Sequence, residues 1–125
     1  IDRLYAQFNL ADHGDLLANL VRWAVKDDIP LKVDANGLVD CHLYQQPGRL
    51  VLHLINLVNM ATWRQPVHEL IPSGLMKISM KLPAGVKGNN LRLLVSGREI
   101  TAQSAGGYCR FEVPSVLDHE VVIVS

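Results

Sequence analysis

The spacing of apolar residues divides the chain into a short helical part and a longer part made of strands. Between Asp15 and Val25, apolar side chains recur at intervals of three and four residues, which is the spacing of one helix face. The residues of this stripe are Leu16, Leu17, Leu20, Val21 and Ala24. We expect Asp12 to cap the start of the helix. Pro30 then prevents the helix from continuing.

After Pro30, short apolar segments alternate with turn residues. Asn36-Gly37 predicts a hairpin between the first two strands, and Pro47-Gly48 predicts the next turn. The predicted strands cover residues 31–34, 38–45, 49–57, 75–82, 90–95, 98–103, 107–113 and 120–124. This pattern favours a mainly β fold, an immunoglobulin-like antiparallel β-sandwich of about seven or eight strands preceded by one α-helix. We place the domain boundary between an N-terminal strand and helix (1–29) and the sandwich (30–125).

The segment from Arg49 to Leu57 is apolar on both of its faces. One face carries Leu50, Leu52 and Leu54, and the other carries Val51, His53, Ile55 and Leu57. A strand that is apolar on both faces needs cover on both sides. The opposite sheet supplies one cover. Because the other must come from the N-terminal helix or from a neighbouring domain, we expect the chain to be part of a larger protein.

Composition excludes several classes of partner. The chain is 49% apolar and 19% charged, which is too apolar for a disordered segment. Twelve basic and twelve acidic residues give zero net charge, so nucleic acid is not an expected partner. The longest apolar stretch, residues 50–58, is broken by His53 and Asn56 and is shorter than the roughly 20 residues of a membrane helix, so no membrane contact is expected. The start, Ile1 to Leu4, has no methionine and no pattern of a targeting signal, and we expect the chain to be a piece of a longer protein rather than a chain whose signal was removed by processing.

The sequence contains no motif of a known catalytic, phosphate-binding or metal-binding site. It has no nucleophile elbow, phosphate-binding glycine loop or metal-ligand spacing, so we predict no catalytic residue, metal or cofactor. Its two cysteines, Cys41 and Cys109, both fall on inward-facing positions of strands. They could form a disulfide across the sandwich, but free buried thiols are the commoner outcome.

Two polar clusters allow a functional interpretation beside a structural one. In Asp12-His13-Gly14-Asp15, the histidine between two carboxylates could act as a general base or a metal ligand, although helix capping is favoured. His53 and Asn56 interrupt an apolar strand and could hold a ligand. More often such groups satisfy buried backbone groups at a strand end or at a seam between domains.

Two aromatic residues could present a stacking surface to a sugar ring. Trp63 lies in a long connection beside Arg64 and Gln65, and Tyr44 lies on a predicted strand. Alternatively, Trp63 closes one end of the sandwich core. Since only 6% of the residues are aromatic, we expect no specific sugar binding tighter than about 1 mM.

The N-terminal segments resemble a known family. Ile1–Tyr5, His13-Gly14 and Leu16–Ala24 resemble the end of the β-galactosidase trimerisation domain of large bacterial glycoside hydrolases, including groups described only as hypothetical glycosyl hydrolases. Gly37–Asp40 and Arg49–Asn56 look like the first strands of the C-terminal β-sandwich that follows this domain. The resemblance implies that the catalytic acid and nucleophile belong to an N-terminal (β/α)8 barrel outside this chain.

The resemblance therefore implies a non-catalytic C-terminal accessory domain that contributes interdomain packing or oligomer assembly. Its expected partners are the preceding domains of the same chain, or further copies in a homo-oligomer, and its expected location is periplasmic or secreted. The expected interdomain packing residues are Leu16, Leu17, Leu20, Ala24, His53 and Asn56. The alternative is a carbohydrate-binding module that uses Trp63 or Tyr44. A small stand-alone enzyme built on His13 and Asp15 is a third hypothesis.

Overall fold

The structure is a computed structural model that describes residues 7–8, 10–58 and 69–125. Trp63, with Arg64 and Gln65, lies outside the described residues, and so do the first five residues of the resemblance. Ile1–Pro30 and Leu31–Ser125 form two compact units. The first unit contains the helix α1 (Ala11–Ala24). The described strands of the second unit are β1 (Leu31–Asp34), β2 (Val39–Gln46), β3 (Arg49–Asn56), β4 (Met76–Lys81), β5 (Leu91–Leu93), β6 (Glu99–Ile100), β7 (Gln103–Ala105), β8 (Tyr108–Val113) and β9 (His119–Val124).

Helix α1 begins earlier than its apolar stripe predicts, and the expectation that Asp12 caps it is wrong. The N-cap residue is Leu10, which makes no capping side-chain hydrogen bond. Asp12 lies inside the first turn, where its negative charge still suits the positive end of the helix dipole. The helix ends because Lys26 and Asp27 adopt left-handed backbone angles, with φ of 52° and 59°, ahead of Pro30.

The apolar stripe of α1 is largely uncovered. Within the part of the chain that the structure describes, no residue of this helix is buried. Leu16, Leu20 and Ala24 are exposed, Leu17 is half-buried, and Trp23 retains 80% of its accessible surface. The predicted role of the stripe in interdomain packing stays a prediction.

The second unit is a β-sandwich, which confirms the predicted fold class. A four-stranded sheet has the order β1-β4-β8-β7, and a five-stranded sheet has the order β2-β3-β9-β5-β6, with every pairing antiparallel. Inward side chains of both sheets form one core. The fully buried members are Leu52, Leu54, Met76, Met80, Cys109, Val113, Val122 and Val124.

The hairpin predicted at Asn36-Gly37 is wrong. β1 pairs with β4, whereas β2 pairs with β3, so this turn leads the chain from one sheet to the other. Gly37 has a φ of 92°, and a Cβ there would collide with the side chain of Val58. The turn residues therefore reverse the chain without pairing the strands beside them. The Pro47-Gly48 turn is confirmed, since Gln46 pairs with Arg49 across it.

The described residues form nine strands because one predicted strand is divided. Within residues 98–103, Glu99–Ile100 pairs with β5 in the five-stranded sheet. The following strand, Gln103–Ala105, pairs with β8 in the four-stranded sheet. Thr101 and Ala102 thus carry the chain across the edge of the sandwich.

The two cysteines are free thiols rather than a disulfide. Cys109 is fully buried in the core and Cys41 is half-buried. Burial raises the pKa of both thiols, and the nearby negative charge of Asp40 raises the pKa of Cys41 further. Both side chains therefore serve as small apolar residues of the sandwich.

Candidate functional site on the five-stranded sheet

The side of the five-stranded sheet that points away from the core has an apolar centre. Successive residues of a strand point to opposite sides of its sheet, and the core takes Leu50, Leu52 and Leu54 from β3. The opposite side therefore carries the alternate residues of β3 and β9, beside Tyr44 of β2. We call this surface the outer face, and it consists of Tyr44, Val51, His53, Ile55, His119, Val121 and Ile123.

Strand pairing brings the residues of the outer face together. Val51 lies between Tyr44 and Ile123, and Ile55 is paired with His119. Val51 is only 7% exposed although it points away from the core, whereas Tyr44 is 53% exposed. The remaining five residues are half-buried. The face thus presents partly covered apolar side chains with an exposed aromatic ring at one border.

The corresponding side of the four-stranded sheet is charged. The residues that point outward from β1, β4 and β8 alternate with core residues such as Ile78 and Phe111, and they pair with one another across the strands. They are Lys32, Asp34, Lys77, Ser79, Arg110 and Glu112. A sheet with alternating apolar and charged positions has one side in water. The two sheets therefore differ, because only the five-stranded sheet has an apolar centre of the kind found within protein interfaces.

Two histidines contact each other in the middle of the outer face. His53 Nδ1 lies 3.2 Å from His119 Nε2, although the two residues are 66 positions apart. Their ring centroids are 5.3 Å apart and the ring planes differ by 13°. The ring of Tyr44 meets His53 nearly at a right angle, with centroids 5.6 Å apart. This contact could not be predicted from the sequence, because the two histidines are 66 positions apart and neither lies in a ligand-like spacing.

Two exposed polar pairs lie on either side of Tyr44, one within the edge strand β2 and one between the end of β2 and the start of β3. Asp40 Oδ2 lies 3.1 Å from His42 Nε2 on one side of it, and Arg49 Nε donates to Gln46 Oε1 at 2.6 Å on the other. An exposed ring between hydrogen-bonding groups has the composition of a sugar-stacking surface. Of the two sugar-stacking residues predicted, Tyr44 is on this surface and Trp63 is outside the described residues.

Asn56 fastens two loops at the end of β3. Its Nδ2 donates to the carbonyl oxygens of Ile71, Val116 and Leu117 at 2.7, 3.0 and 2.9 Å, and its Oδ1 accepts from Val58 N at 2.9 Å. All of these partners belong to the sandwich. The Asn56 side chain, which is predicted to contribute to interdomain packing, therefore satisfies buried backbone groups of its own unit.

Glu120 is a buried acid that sequence reasoning missed. It is 4% exposed, and its carboxylate accepts hydrogen bonds from the backbone nitrogens of Val95, Ser96 and Val121 at 2.8, 3.0 and 2.9 Å. Burial by itself raises the pKa of Glu120, but hydrogen bonds from the Ser96 side chain and these three backbone groups outweigh it and hold the pKa below its usual value. The carboxylate thus fixes the turn that follows β5.

The cluster at residues 12–15 lies within the first part of α1. Asp12 and Asp15, three residues apart, share a helix face, whereas His13 between them points elsewhere. The Nδ1 of His13 is buried and makes no hydrogen bond within the described part of the chain. Residues 7–8, 10–58 and 69–125 bring no three His, Cys, Asp or Glu side chains together in a way that could hold a metal ion.

A broad depression of about 1720 Å³ is lined by residues of both sheets, and it includes Val51, Val121 and Ile123 of the outer face. Its lining mixes charged residues, including Lys77, Glu99 and Arg110, with apolar ones. Small-molecule pockets enclose roughly 300–1,000 Å³. Because this depression is larger and open to solvent, it has the form of a surface groove. Among the described helices, none has the length and apolar character needed to cross a membrane.

Neither a family model nor a curated protein matches the chain, but solved structures do. One is α-L-fucosidase isoenzyme 2 from Paenibacillus thiaminolyticus, with a TM-score of 0.78 and 21% identity over 97% of this chain and 19% of that one. Another is a cycloisomaltooligosaccharide glucanotransferase from Paenibacillus sp. complexed with cycloisomaltoheptaose, with a TM-score of 0.62 and 16% identity over 76% of this chain and 16% of that one. The chain shares its fold with one part of each enzyme.

The shared fold occupies only a small part of these enzymes, since the chain spans less than a fifth of the length of either. The match to the fucosidase extends beyond the sandwich, because 97% coverage must include residues of the unit Ile1–Pro30 as well. Both units of this chain therefore take part in the likeness.

Replacing Glu120 with Gln should destabilise the chain by about 1–3 kcal/mol at pH 7, because the amide NH2 cannot accept the bonds that a carboxylate oxygen accepts. A carboxyl whose pKa is lowered by folding contributes stability above its unfolded value of about 4.3, and this contribution disappears as the pH falls through the folded pKa. The stability difference between wild type and Glu120→Gln should therefore shrink on acidification.

Urea unfolding at pH 7 and at pH 3 measures this difference. The exposed Glu112 provides the matched control, and Glu112→Gln should stay within about 0.5 kcal/mol of wild type. A wild-type advantage over Glu120→Gln that is equal at both pH values would contradict the role given to the carboxylate.

Proposed function

We propose that this chain is a non-catalytic C-terminal accessory domain of a larger glycoside hydrolase, and that its outer face packs against the rest of that enzyme. The observation that carries the proposal is the unequal coverage: 97% of this chain corresponds in fold to 19% of the α-L-fucosidase. The remaining four fifths of such an enzyme offer the surface against which an accessory domain packs. The family resemblance of the helix segment supports the same interpretation.

The outer face supports this assignment through its chemistry. Its centre combines Val51, Ile55, Val121 and Ile123 with two histidines and has no charged carboxylate or lysine. Covering apolar surface gains about 25 cal/mol per Å² removed from water. Covering the charged side of the four-stranded sheet would not gain a comparable free energy. The outer face is therefore favoured as the side that is covered, and the charged side as the one that stays in water.

Helix α1 offers a second surface of the same kind. Its stripe, including Leu16, Leu20 and Ala24, is exposed, and Trp23 beside it is almost fully so. A helix with an uncovered apolar stripe needs a partner to be stable, because short helices are marginal by themselves. The proposed partner is a preceding domain of the same polypeptide. A second copy of the chain in a homo-oligomer is the competing occupant.

The purified chain should hydrolyse no glycoside above background. A panel of aryl glycosides that includes an aryl α-L-fucoside tests this expectation, because glycosidases need two placed carboxyl groups and no motif places such a pair here. Hydrolysis that is lost in both Asp12→Asn and Asp15→Asn, but kept in Asp34→Asn, would replace the accessory domain with the stand-alone enzyme.

A carbohydrate-binding module is the second candidate function. The observation in its favour is Tyr44, which is 53% exposed and lies between the Asp40–His42 and Gln46–Arg49 pairs. An aromatic ring of this kind can stack on the apolar face of a sugar ring while the flanking groups bind its hydroxyls. Among the described residues of this surface, Tyr44 alone offers an aromatic ring for a sugar to stack on, and a single ring gives a small contact area. We therefore place the accessory role first.

Oligosaccharide titration separates the two functions. For an accessory domain, we expect no saturable binding below about 1 mM, which corresponds to roughly −4 kcal/mol. Micromolar binding that is lost in Tyr44→Ala, but retained in Tyr108→Ala on the four-stranded sheet, would make the chain a binding module. Calorimetry reports the binding directly, and Trp63→Ala shows whether the second predicted platform contributes.

A further inference from the structure

Strand β2 is a long and open edge of the five-stranded sheet. Among the residues that the structure describes, it is paired with β3 alone. The other edge strands, β1, β6 and β7, have four, two and three residues, whereas β2 has eight residues in unbroken register with β3. Proteins usually protect an edge strand from pairing with another chain by shortness, a bulge, a proline or a lysine. Strand β2 has none of these protections.

The backbone groups on the open side of β2 belong to alternate residues. Leu57 N donates to Leu38 O at 2.9 Å across the β2–β3 ladder, so the even-numbered residues of β2 bond to β3. The odd-numbered residues direct their N–H and C=O groups away from β3, and they are Val39, Cys41, Leu43 and Gln45. The open side therefore carries a row of donors and acceptors that a further strand could bind.

We propose that β2 pairs antiparallel with β2 of a second copy of the chain, about a two-fold axis that passes beside Cys41. Each residue before Cys41 then faces the residue equally far after it in the second copy, as a two-fold contact requires. Val39 faces Leu43, and Cys41 faces Cys41, so these residues exchange backbone hydrogen bonds across the axis. The two five-stranded sheets become one continuous sheet. This contact does not depend on the proposed function, because edge pairing leaves the outer faces uncovered.

The exposed side chains of β2 complement one another in this register. Asp40 faces His42 of the second copy, and the same two groups already bond within one chain at 3.1 Å. Leu38, which is 65% exposed, faces the exposed Tyr44 of the second copy. The two-fold axis makes each of these pairs occur twice. Because pairs of acidic with basic groups and of aromatic with apolar groups stabilise neighbouring strands, the edge of β2 matches a second copy of itself.

The side chains that point into the sandwich match in the same register. Val39, Cys41 and Leu43 are half-buried and pack against the core. In the proposed pairing, they meet only one another at the joint between the two copies. An axis at His42 would gain one more backbone pair, but it would bring the polar Gln45 beside Val39 and separate the exposed pairs. The side chains therefore favour the axis at Cys41.

Sedimentation equilibrium of the purified chain tests the contact. One pair of strands is a small interface, so we expect a dimer with a Kd of about 1–100 μM. Asp40→Lys places a lysine opposite His42 twice in each dimer and should raise the Kd about tenfold or more. Leu38→Lys should weaken the dimer as well. Asp34→Lys on the short edge strand β1 is the matched control and should leave the Kd unchanged. Since all three positions are exposed, we expect each variant to fold, and urea unfolding checks this.

The position of the axis predicts a specific cross-link. Two residues that face each other as a hydrogen-bonded pair have Cα atoms about 5.5 Å apart, which lies within the range that a disulfide spans. Oxidation of the chain with added diamide should therefore join two Cys41 thiols and give a covalent dimer. Cys109 is fully buried in the core, so Cys109→Ala should still form this dimer, whereas Cys41→Ala should not.

A chain that stays monomeric at about 100 μM would overturn the proposal and leave the edge of β2 to a strand from elsewhere in a larger protein. A dimer whose Kd is the same in wild type, Asp40→Lys and Leu38→Lys would also overturn it. Self-association that is lost in Leu20→Asp, but kept in these two variants, would assign the contact to α1 instead. A covalent dimer that forms equally well in Cys41→Ala would contradict the two-fold axis at Cys41.

Discussion

The central constraint in this molecule is that β3 must bury side chains on both of its sides. Leu50, Leu52 and Leu54 enter the core, while Val51 is almost fully buried on the opposite side. The strand can do this because it lies between β2 and β9 in the interior of its sheet. Its inner side builds the sandwich, and its outer side creates the apolar face on which the functional proposals rest.

The ends of the central strands depend on buried polar groups rather than on apolar contact. Asn56 closes β3 by donating to backbone carbonyls of two loops. Glu120, near the start of β9, accepts hydrogen bonds from the backbone nitrogens of Val95 and Ser96 in the turn that follows β5, and from that of Val121. Buried backbone groups without partners are costly, so each side chain permits a loop to pass close to the core. These two residues hold the loops at the ends of β3 and β9 in place, and neither of them belongs to the outer face.

Much of the secondary structure could be predicted from the sequence, because it depends on local patterns. The stripe from Leu16 to Ala24 predicted α1, and the short apolar segments at residues 75–82 and 107–113 predicted the strands β4 and β8. The partner of β1 could not be predicted from Asn36-Gly37, since a turn reverses the chain without deciding which strand fills the core beside it. The His53–His119 contact and the bonds of Asn56 and Glu120 join residues up to 66 positions apart. No local spacing encodes such contacts, so they appear only when the register of the sheets is known.

The proposed accessory role requires that the rest of a larger enzyme covers the outer face while the charged side of the four-stranded sheet stays in water. Hydroxyl-radical footprinting of the isolated chain and of the full-length gene product that contains it tests this claim directly. Tyr44 reports the outer face, and Tyr108 on the other sheet serves as the internal reference. We expect Tyr44 to react several times more slowly in the full-length product, while the rate at Tyr108 is unchanged. Equal rates at Tyr44 in the two proteins would contradict it.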